Sequence, residues 1–155
     1  LAQRNADLIR RATAADVEAV RALTLAAYRP WIPVLGREPG PMLFDFAAAV
    51  RDHLVYLLED GGALAGLIDL IPLADHLVVE SVAVAPAAQG QGVGRRLLAH
   101  AEAVARERGL AELRLLTNVK METNIILYQR LGYREASRGV SKTGYNVVFM
   151  SKSLT

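Results

Sequence analysis

Apolar positions recur along this chain with two different periods, and the switches between them predict its elements. Leu8 to Ala12 reads as a short strand. Thr13 follows, with Asp16 three residues on, close to the capping-box pattern that opens a helix. Val17, Val20, Leu23 and Ala27 then form the apolar stripe of that helix, which stops before Pro30. A loop from Arg29 to Pro41 is expected next. It holds four of the six prolines, at 30, 33, 39 and 41, and prolines lower the entropy of the free loop so that a long connection stays ordered. Leu43, Phe46, Ala47, Val50 and Leu54 give a second helix. The period then shortens. Val55 to Glu59 and Ala63 to Ile71 flank Asp60-Gly61-Gly62, a hairpin signal. Asp75-His76 turns into a strongly apolar strand, Leu77 to Val84.

After a turn at Gly90 to Gly94, Val93, Leu97, Leu98, Ala101, Val104 and Ala105 recur at helical spacing up to Arg108, and Gly109 sits where a helix C-terminal glycine belongs. Leu113 to Thr117 reads as a strand, and Glu122 to Leu131 as a helix ended by Gly132. Tyr133 to Arg138 and Asn146 to Ser151 close the chain as an antiparallel pair. The order is one strand, two helices, three strands, helix, strand, helix and two strands. It predicts an α/β (α+β) sandwich around one mixed, mostly antiparallel sheet.

Composition narrows the class. With 155 residues, 52% of them apolar and 22% charged, the chain suits a single globular domain over 1–155. The absence of cysteine removes disulfides, thiol nucleophiles and Cys-type zinc sites. Eighteen basic and sixteen acidic residues leave a net charge of +2, too even for the basic stripe of a nucleic-acid binder. No apolar run approaches the ~18 residues of a membrane span, and Leu1-Ala2-Gln3-Arg4 lacks both a signal-peptide core and an initiating Met. The expectation is a cytoplasmic protein, monomer or homodimer, numbered from a processing boundary, with no membrane or nucleic-acid partner. His53, His76 and His100 are scattered without ligand spacing, so no metal is expected.

The sharpest local signal is Gln89-Gly90-Gln91-Gly92-Val93-Gly94 between an apolar strand and a helix. Unpaired amides at the helix start, with the helix dipole behind them, bind phosphate, and glycines let the backbone approach closely. A Walker loop would need Lys-Ser/Thr after the last glycine, where Arg95-Arg96 stands. A dinucleotide fingerprint would need a third glycine at position 95. The plain alternative is a strand-to-helix turn.

The spacing Q-x-x-G-x-G (Gln89, Gly92, Gly94), preceded by Val82-Ala83-Val84-Ala85-Pro86, resembles the signature of the GNAT superfamily of N-acetyltransferases. A second match lies downstream: Asn124-Ile125-Ile126-Leu127-Tyr128-Gln129-Arg130-Leu131-Gly132-Tyr133 is similar to that family's N-x3-Y-x2-L-G-[FY] segment. The stretch from Tyr28-Arg29-Pro30-Trp31 through Gly36-Arg37-Glu38-Pro39 also resembles a bacterial subgroup. The resemblance covers nearly the whole chain. It implies acetyl-CoA as co-substrate and an amine acceptor, either a small molecule or a peptide N-terminus. It also implies that Leu77–Val84 and Leu113–Thr117 splay apart. Val82 and Val84, with Ala83 between them, would then pair with the pantetheine amides as an added strand does. The amides of Gln89, Gly90, Gln91, Gly92, Val93, Gly94 and Arg95 would wrap the pyrophosphate. Arg95 or Arg96 would reach the remaining phosphate, or else form a solvated helix face.

Two residues stand out as catalytic candidates. Strict alternation puts Glu80 on one face with Val78, Val82 and Val84. A carboxylate in an apolar row is expected to titrate high, as a general base near neutrality must; the competing reading pairs it with an arginine such as Arg114. The resemblance makes Tyr128 the residue that hydrogen-bonds the CoA sulfur and protonates the leaving thiolate. Full transfer from a phenol near ~10 to a thiolate near ~8.5 is uphill by about 2 kcal/mol, so Tyr128 would chiefly stabilise charge growing on sulfur. Asn124, one turn earlier on the same face, would hold the pantetheine arm. Tyr28 and Trp31, beside Glu80, would wall the acceptor pocket, or else anchor the core. A CoA-binding sensor of the same fold without turnover, and a module using the turn for ATP or NAD, are the alternatives.

Overall fold

The computed structural model describes residues 7–155. Within them a seven-stranded sheet runs in the order β1-β2-β3-β4-β5-β7-β6. Its strands are β1 (Asp7–Arg11), β2 (Leu54–Asp60), β3 (Ala63–Pro72), β4 (Leu77–Val84), β5 (Glu112–Asn118), β6 (Arg134–Val140) and β7 (Asn146–Ser153). Every neighbouring pair is antiparallel except β4 and β5. Mixed class, mostly antiparallel sheet and element order follow the hydrophobic pattern.

Helices cover both faces of the sheet. Helix α1 (Val17–Tyr28) and helix α3 (Phe46–Asp52) lie on one side, where Val20, Leu23, Phe46 and Val50 meet Leu57, Leu67 and Ala83. Helix α4 (Val93–Glu107) lies on the other, packing Leu97, Leu98, Ala101 and Val104 on Leu58, Ile68, Leu70 and Leu113. Adjacent residues of β2 and β3 feed opposite clusters, so the middles of both strands are mostly apolar and buried on both faces. Gly66 on β3 is the contact that sets the depth of α4. A β-carbon there would lie 2.8 Å from Val93 Cγ1 and 2.9 Å from Leu97 Cδ1. No helix among the described residues is long and apolar enough to cross a membrane.

Two stretches differ from the pattern. The expected loop after α1 is instead a run of short turns: a 3-10 turn at Arg29–Trp31, helix α2 (Ile32–Leu35) and another 3-10 turn at Gly40–Leu43. Pro30, Pro33 and Pro41 each sit in the first two positions of one of these turns, where a missing N–H costs nothing. The helix expected from Leu43 to Leu54 is shorter at both ends. Asp45 caps it by accepting from the Ala48 N–H at 3.0 Å, which leaves Leu43 exposed outside it. Leu54 already belongs to β2, and Ala49 rather than Ala47 takes the inward position. At the chain's start, the Thr13 N–H donates to the Asp16 carboxylate at 2.8 Å, one arm of the expected capping box. Arg10 binds the same carboxylate at 2.9 Å, which holds Asp16 far below the usual carboxylate range.

Candidate active site

Strands β4 and β5 run parallel and pair only at Leu77 with Leu113 and Val78 with Arg114. Beyond that closed end they diverge. A cavity of about 550 Å³ opens between them, lined by Val79 to Val82 on one side and Leu115 to Asn118 on the other. A second cavity, of about 240 Å³, lies toward the start of α4 and is lined by Val84, Gln89, Gly94 and Leu98. Tyr28, Val82, Asn124 and Tyr128 line both. The two spaces therefore meet at those four residues.

The smaller cavity ends at the glycine turn. Gly90 and Gly92 have φ of 80° and 81°, the left-handed region that a β-carbon disfavours. Gly92 is the cap residue before α4, so the free amides of the helix's first turn follow it directly. Gly94 differs: it lies inside the helix, and a β-carbon there would meet only Val84 Cγ2, at 3.8 Å. Its bareness is not needed for its backbone, and the side it presents is cavity wall. The Gln89 and Gln91 side chains donate to the carbonyls of Val84 and Ala87, each at 3.4 Å. Arg95 is exposed and Arg96 half-buried. An N-terminal helix turn, a glycine cap without side-chain bulk and an adjoining cleft fit a phosphate-bearing nucleotide with a narrow arm. Among the described residues no group of three or more His, Cys, Asp or Glu stands ready to hold a metal ion.

Strand β4 carries a bulge where the alternation argument places Glu80. Asp69 pairs with Ser81 and the next residue, Leu70, pairs with Val79, so Glu80 is the extra residue. The bulge resets the period. Val79 packs in the α4 cluster, Val82 and Val84 pack against that same cluster, and Ala83 belongs to the opposite one. Glu80 therefore does not share an apolar row with Val82 and Val84. It is exposed and lines the larger cavity. Nor is it paired with Arg114, whose guanidinium binds Glu112 at 3.0 Å.

Tyr128 is half-buried on helix α5 (Glu122–Arg130) and meets the Tyr133 ring edge-on, centroids 5.7 Å apart. Burial pushes its phenol up to about 12, so it is a donor at neutral pH. Tyr28 is pushed up as well, by burial first and by the nearness of Tyr128 second. Its hydroxyl donates to the Val82 carbonyl at 2.9 Å. Asn124 donates to Met121 Sδ at 3.6 Å. Trp31 lines the smaller cavity, on the glycine-turn side, not the larger one.

Sequence reasoning missed several wall residues. Thr117 ends the expected strand and Asn118 extends it by one residue, and a splayed strand exposes its tip; that signal was available. The turn after β6, with Lys142 and Tyr145, comes to the cavity from far along the chain and carries no local mark. Asp69 was also missed, although an acid inside Leu67-Ile68-Asp69-Leu70-Ile71 is conspicuous. It is buried, with His53 Nδ1 at 2.9 Å, and lies beside the bulge. The other histidines are placed apart: His76 pairs with Asp75, and His100 packs edge-on to Tyr56.

Comparison with known proteins agrees with this geometry. Residues 17–133 match the profile of the Acetyltransferase (GNAT) family. The chain is 37% identical over 83 residues to a streptothricin acetyltransferase of Streptomyces lavendulae, covering 49% of this chain and 43% of that one. It is 33% identical over 85 residues to the ribosomal protein bS18-alanine N-acetyltransferase of Escherichia coli, covering 55% and 57%. These matches span about half the length of both relatives. An aminoalkylphosphonate N-acetyltransferase of Salmonella typhimurium is 30% identical over 137 residues, covering 83% of this chain and 85% of its own. In fold, the chain superposes on the PaiA N-acetyltransferase of Thermoplasma acidophilum, solved with coenzyme A, at a TM-score of 0.78, with 17% identity over 95% of this chain and 98% of that one. A family profile matched over most of the chain, in the segment that builds the glycine turn and the β4–β5 cleft, decides the assignment: the chain belongs to the acetyltransferase (GNAT) family.

Proposed function

We propose that residues 1–155 act as one catalytic domain that transfers an acetyl group from acetyl-CoA to a primary amine, by direct attack of the amine on the thioester. The observation that carries this reading is the meeting of two cavities at Tyr28, Val82, Asn124 and Tyr128, one ending at the glycine turn and the other lined by Glu80. Acetyl-CoA supplies the activated acyl group. The first-turn amides of α4 and the cap at Gly92 hold its phosphates, and the freed edge of β4 at Val82 to Val84 takes its arm. The names of the relatives support an amine acceptor of varied kind: an antibiotic, a ribosomal alanine, an aminoalkylphosphonate. A cytoplasmic setting goes with the reading.

The roles follow from proton bookkeeping. The new N–C bond forms as the C–S bond breaks; counted from its ammonium form the amine loses two protons, one on being made neutral and one as the bond forms, and the second balances the proton that the leaving sulfur gains. Presenting a lysine-like amine in neutral form at pH 7 costs about 4.6 kcal/mol, and an α-amine about 1.4 kcal/mol. Glu80 accepts that proton from the acceptor side. Tyr128, whose hydroxyl binds no protein group among the described residues, donates to the sulfur from the junction.

An assay with a panel of primary amines, following free thiol released from acetyl-CoA, tests the proposal. Acetyl-CoA-dependent release with at least one amine, and acetylated product by mass, is expected. Tight acetyl-CoA binding without release on any amine would leave a silent CoA-binding domain instead.

A further inference from the structure

The larger cavity passes through the sheet. Tyr28 and Phe44, which pack against the α1–α3 cluster, line it on one side, and Val79 and Leu115, members of the α4 cluster, line it on the other. Met121 and Val147 stand in neither cluster, although both are buried. What they line is the cavity. Met121 is also tethered. It is the cap residue that opens helix α5, and its Sδ accepts from Thr117 Oγ1 at 3.7 Å and from Asn124 Nδ2 at 3.6 Å. A methionine side chain ordinarily turns freely to fill gaps, and its sulfur is a weak acceptor. Here two donors, both cavity-lining residues, restrain it together.

Position along α5 decides what the tethered side chain meets. Tyr128, Asn124 and Met121 are spaced by four and three residues, so they share one face. Tyr128 and Asn124 line both cavities, Met121 only the larger. With the pantetheine arm in the smaller cavity and the sulfur at Tyr128, the acyl group continues past Asn124 into the larger one, where Met121, Thr117 and Val147 lie ahead of it. The charged lining residues, Glu80 and Lys142, are not among this group. Val79, Leu115, Met121 and Val147 instead offer the hydrocarbon surface that an acyl chain buries. We infer that these residues form the acyl pocket, and that Met121, restrained through its sulfur by Thr117 and Asn124, determines acyl-donor specificity by stopping the pocket at a short chain. The inference rests on the acetyl-transfer reading above.

The test offers acetyl-, propionyl-, butyryl- and hexanoyl-CoA, each with the best primary amine of the panel, to wild type, Met121→Ala, Met121→Leu and Thr117→Val. Thiol release gives kcat/KM for each donor, and calorimetry with free CoA checks that every variant folds and keeps its cofactor site. One methylene too many for a closed pocket costs about 10–200-fold, so wild type is expected to favour acetyl- over butyryl-CoA by at least about 100-fold. Met121→Ala removes the wall from Cγ outward and narrows that ratio by at least about tenfold, through a gain on butyryl-CoA more than a loss on acetyl-CoA. Met121→Leu keeps the bulk and stays near wild type. Thr117→Val takes away one donor to the sulfur, frees the methionine to yield, and narrows the ratio less than Met121→Ala does. Affinity for free CoA, which carries no acyl group, stays as in wild type throughout. Equal turnover of butyryl- and acetyl-CoA by wild type overturns the inference and leaves acetyl transfer standing. So does an unchanged ratio in Met121→Ala, or in Thr117→Val where Met121→Ala fails to bind CoA. No thiol release from any donor with any amine overturns both.

Discussion

Tyr128 combines a hydroxyl without a protein partner among the described residues with a ring held edge-on by Tyr133. Removing the hydroxyl should leave the ring's packing in place. Tyr128→Phe is therefore expected to lower kcat by roughly tenfold to a thousandfold while acetyl-CoA affinity changes little, because charge grows on sulfur only in the transition state. Steady-state kinetics beside calorimetry checks this, and a wild-type kcat would assign Tyr128 to packing. Glu80→Gln keeps shape and removes the proton acceptor. Its loss in kcat/KM should be much larger for an alkylamine than for an α-amine, since neutralising the two differs by about 3 kcal/mol. Equal losses would mean that Glu80 is not the base. Asp69 gives a test in stability. Burial, helped by Glu80 and opposed by His53, pushes its carboxyl up to about 6. The folded chain thus binds that proton more tightly than the unfolded one. The stabilisation is complete below the unfolded value near 4 and is lost as pH rises through about 6. The melting temperature of Asp69→Asn minus that of wild type should climb between pH 4 and 6.5; a flat difference would remove Asp69 from the account. That Glu80 and Tyr128 lie at the cleft was legible in the sequence, from their places in the strand and in the motif. The surroundings of Glu80 were not, because one bulged residue inverts every face before it.

At the scale of elements, α4 and its turn were legible because glycine, apolar period and helix stop all agree there. The connection from Arg29 to Pro41 was read as a loop because prolines mark both loops and first helical turns, and only the carbonyl partners tell the two apart. The same local logic separates two glycines of the turn. Gly92 sits at φ 81° and Gly94 in ordinary helix. Gly94→Ala is expected to keep or raise the melting temperature of the ligand-free protein, by up to about 1 kcal/mol in stability, while lowering acetyl-CoA affinity through the methyl in the cavity wall. Gly92→Ala should lower both, since its backbone disfavours a β-carbon. Melting scans with calorimetry decide it. Unchanged affinity in both variants would make the turn a structural feature alone.

Across the whole molecule, strand order and the parallel β4–β5 pair could not be read from periodicity, which marks faces and not neighbours. Only the splay of the two strands followed from family resemblance, and the two-pair contact at Leu77 and Val78 bears it out. That contact carries the sheet's continuity from β1–β4 to β5–β7–β6, helped by α4 packed across the join. A ligand lying along the diverging strands should therefore tie the two halves together. Acetyl-CoA at 100 times its dissociation constant adds about 2.7 kcal/mol, or roughly 5–10 °C in a chain of this size. A melting scan with acetyl-CoA, ATP and NAD checks it; a shift with ATP or NAD but not acetyl-CoA would reverse the cofactor assignment.

An open sheet ordinarily has two outer edges. The divergence of β4 from β5 gives this one two more, facing each other inside the molecule. Interior edges escape the usual protections, charged side chains and short length, because substrate must reach them. They are also the right shape to accept a strand from another chain. Cofactor supply then governs more than turnover. When acetyl-CoA is scarce these edges are open to wrong partners, and concentrated, warmed protein should cloud sooner without CoA than with it, by a delay longer than the gain in melting temperature alone accounts for.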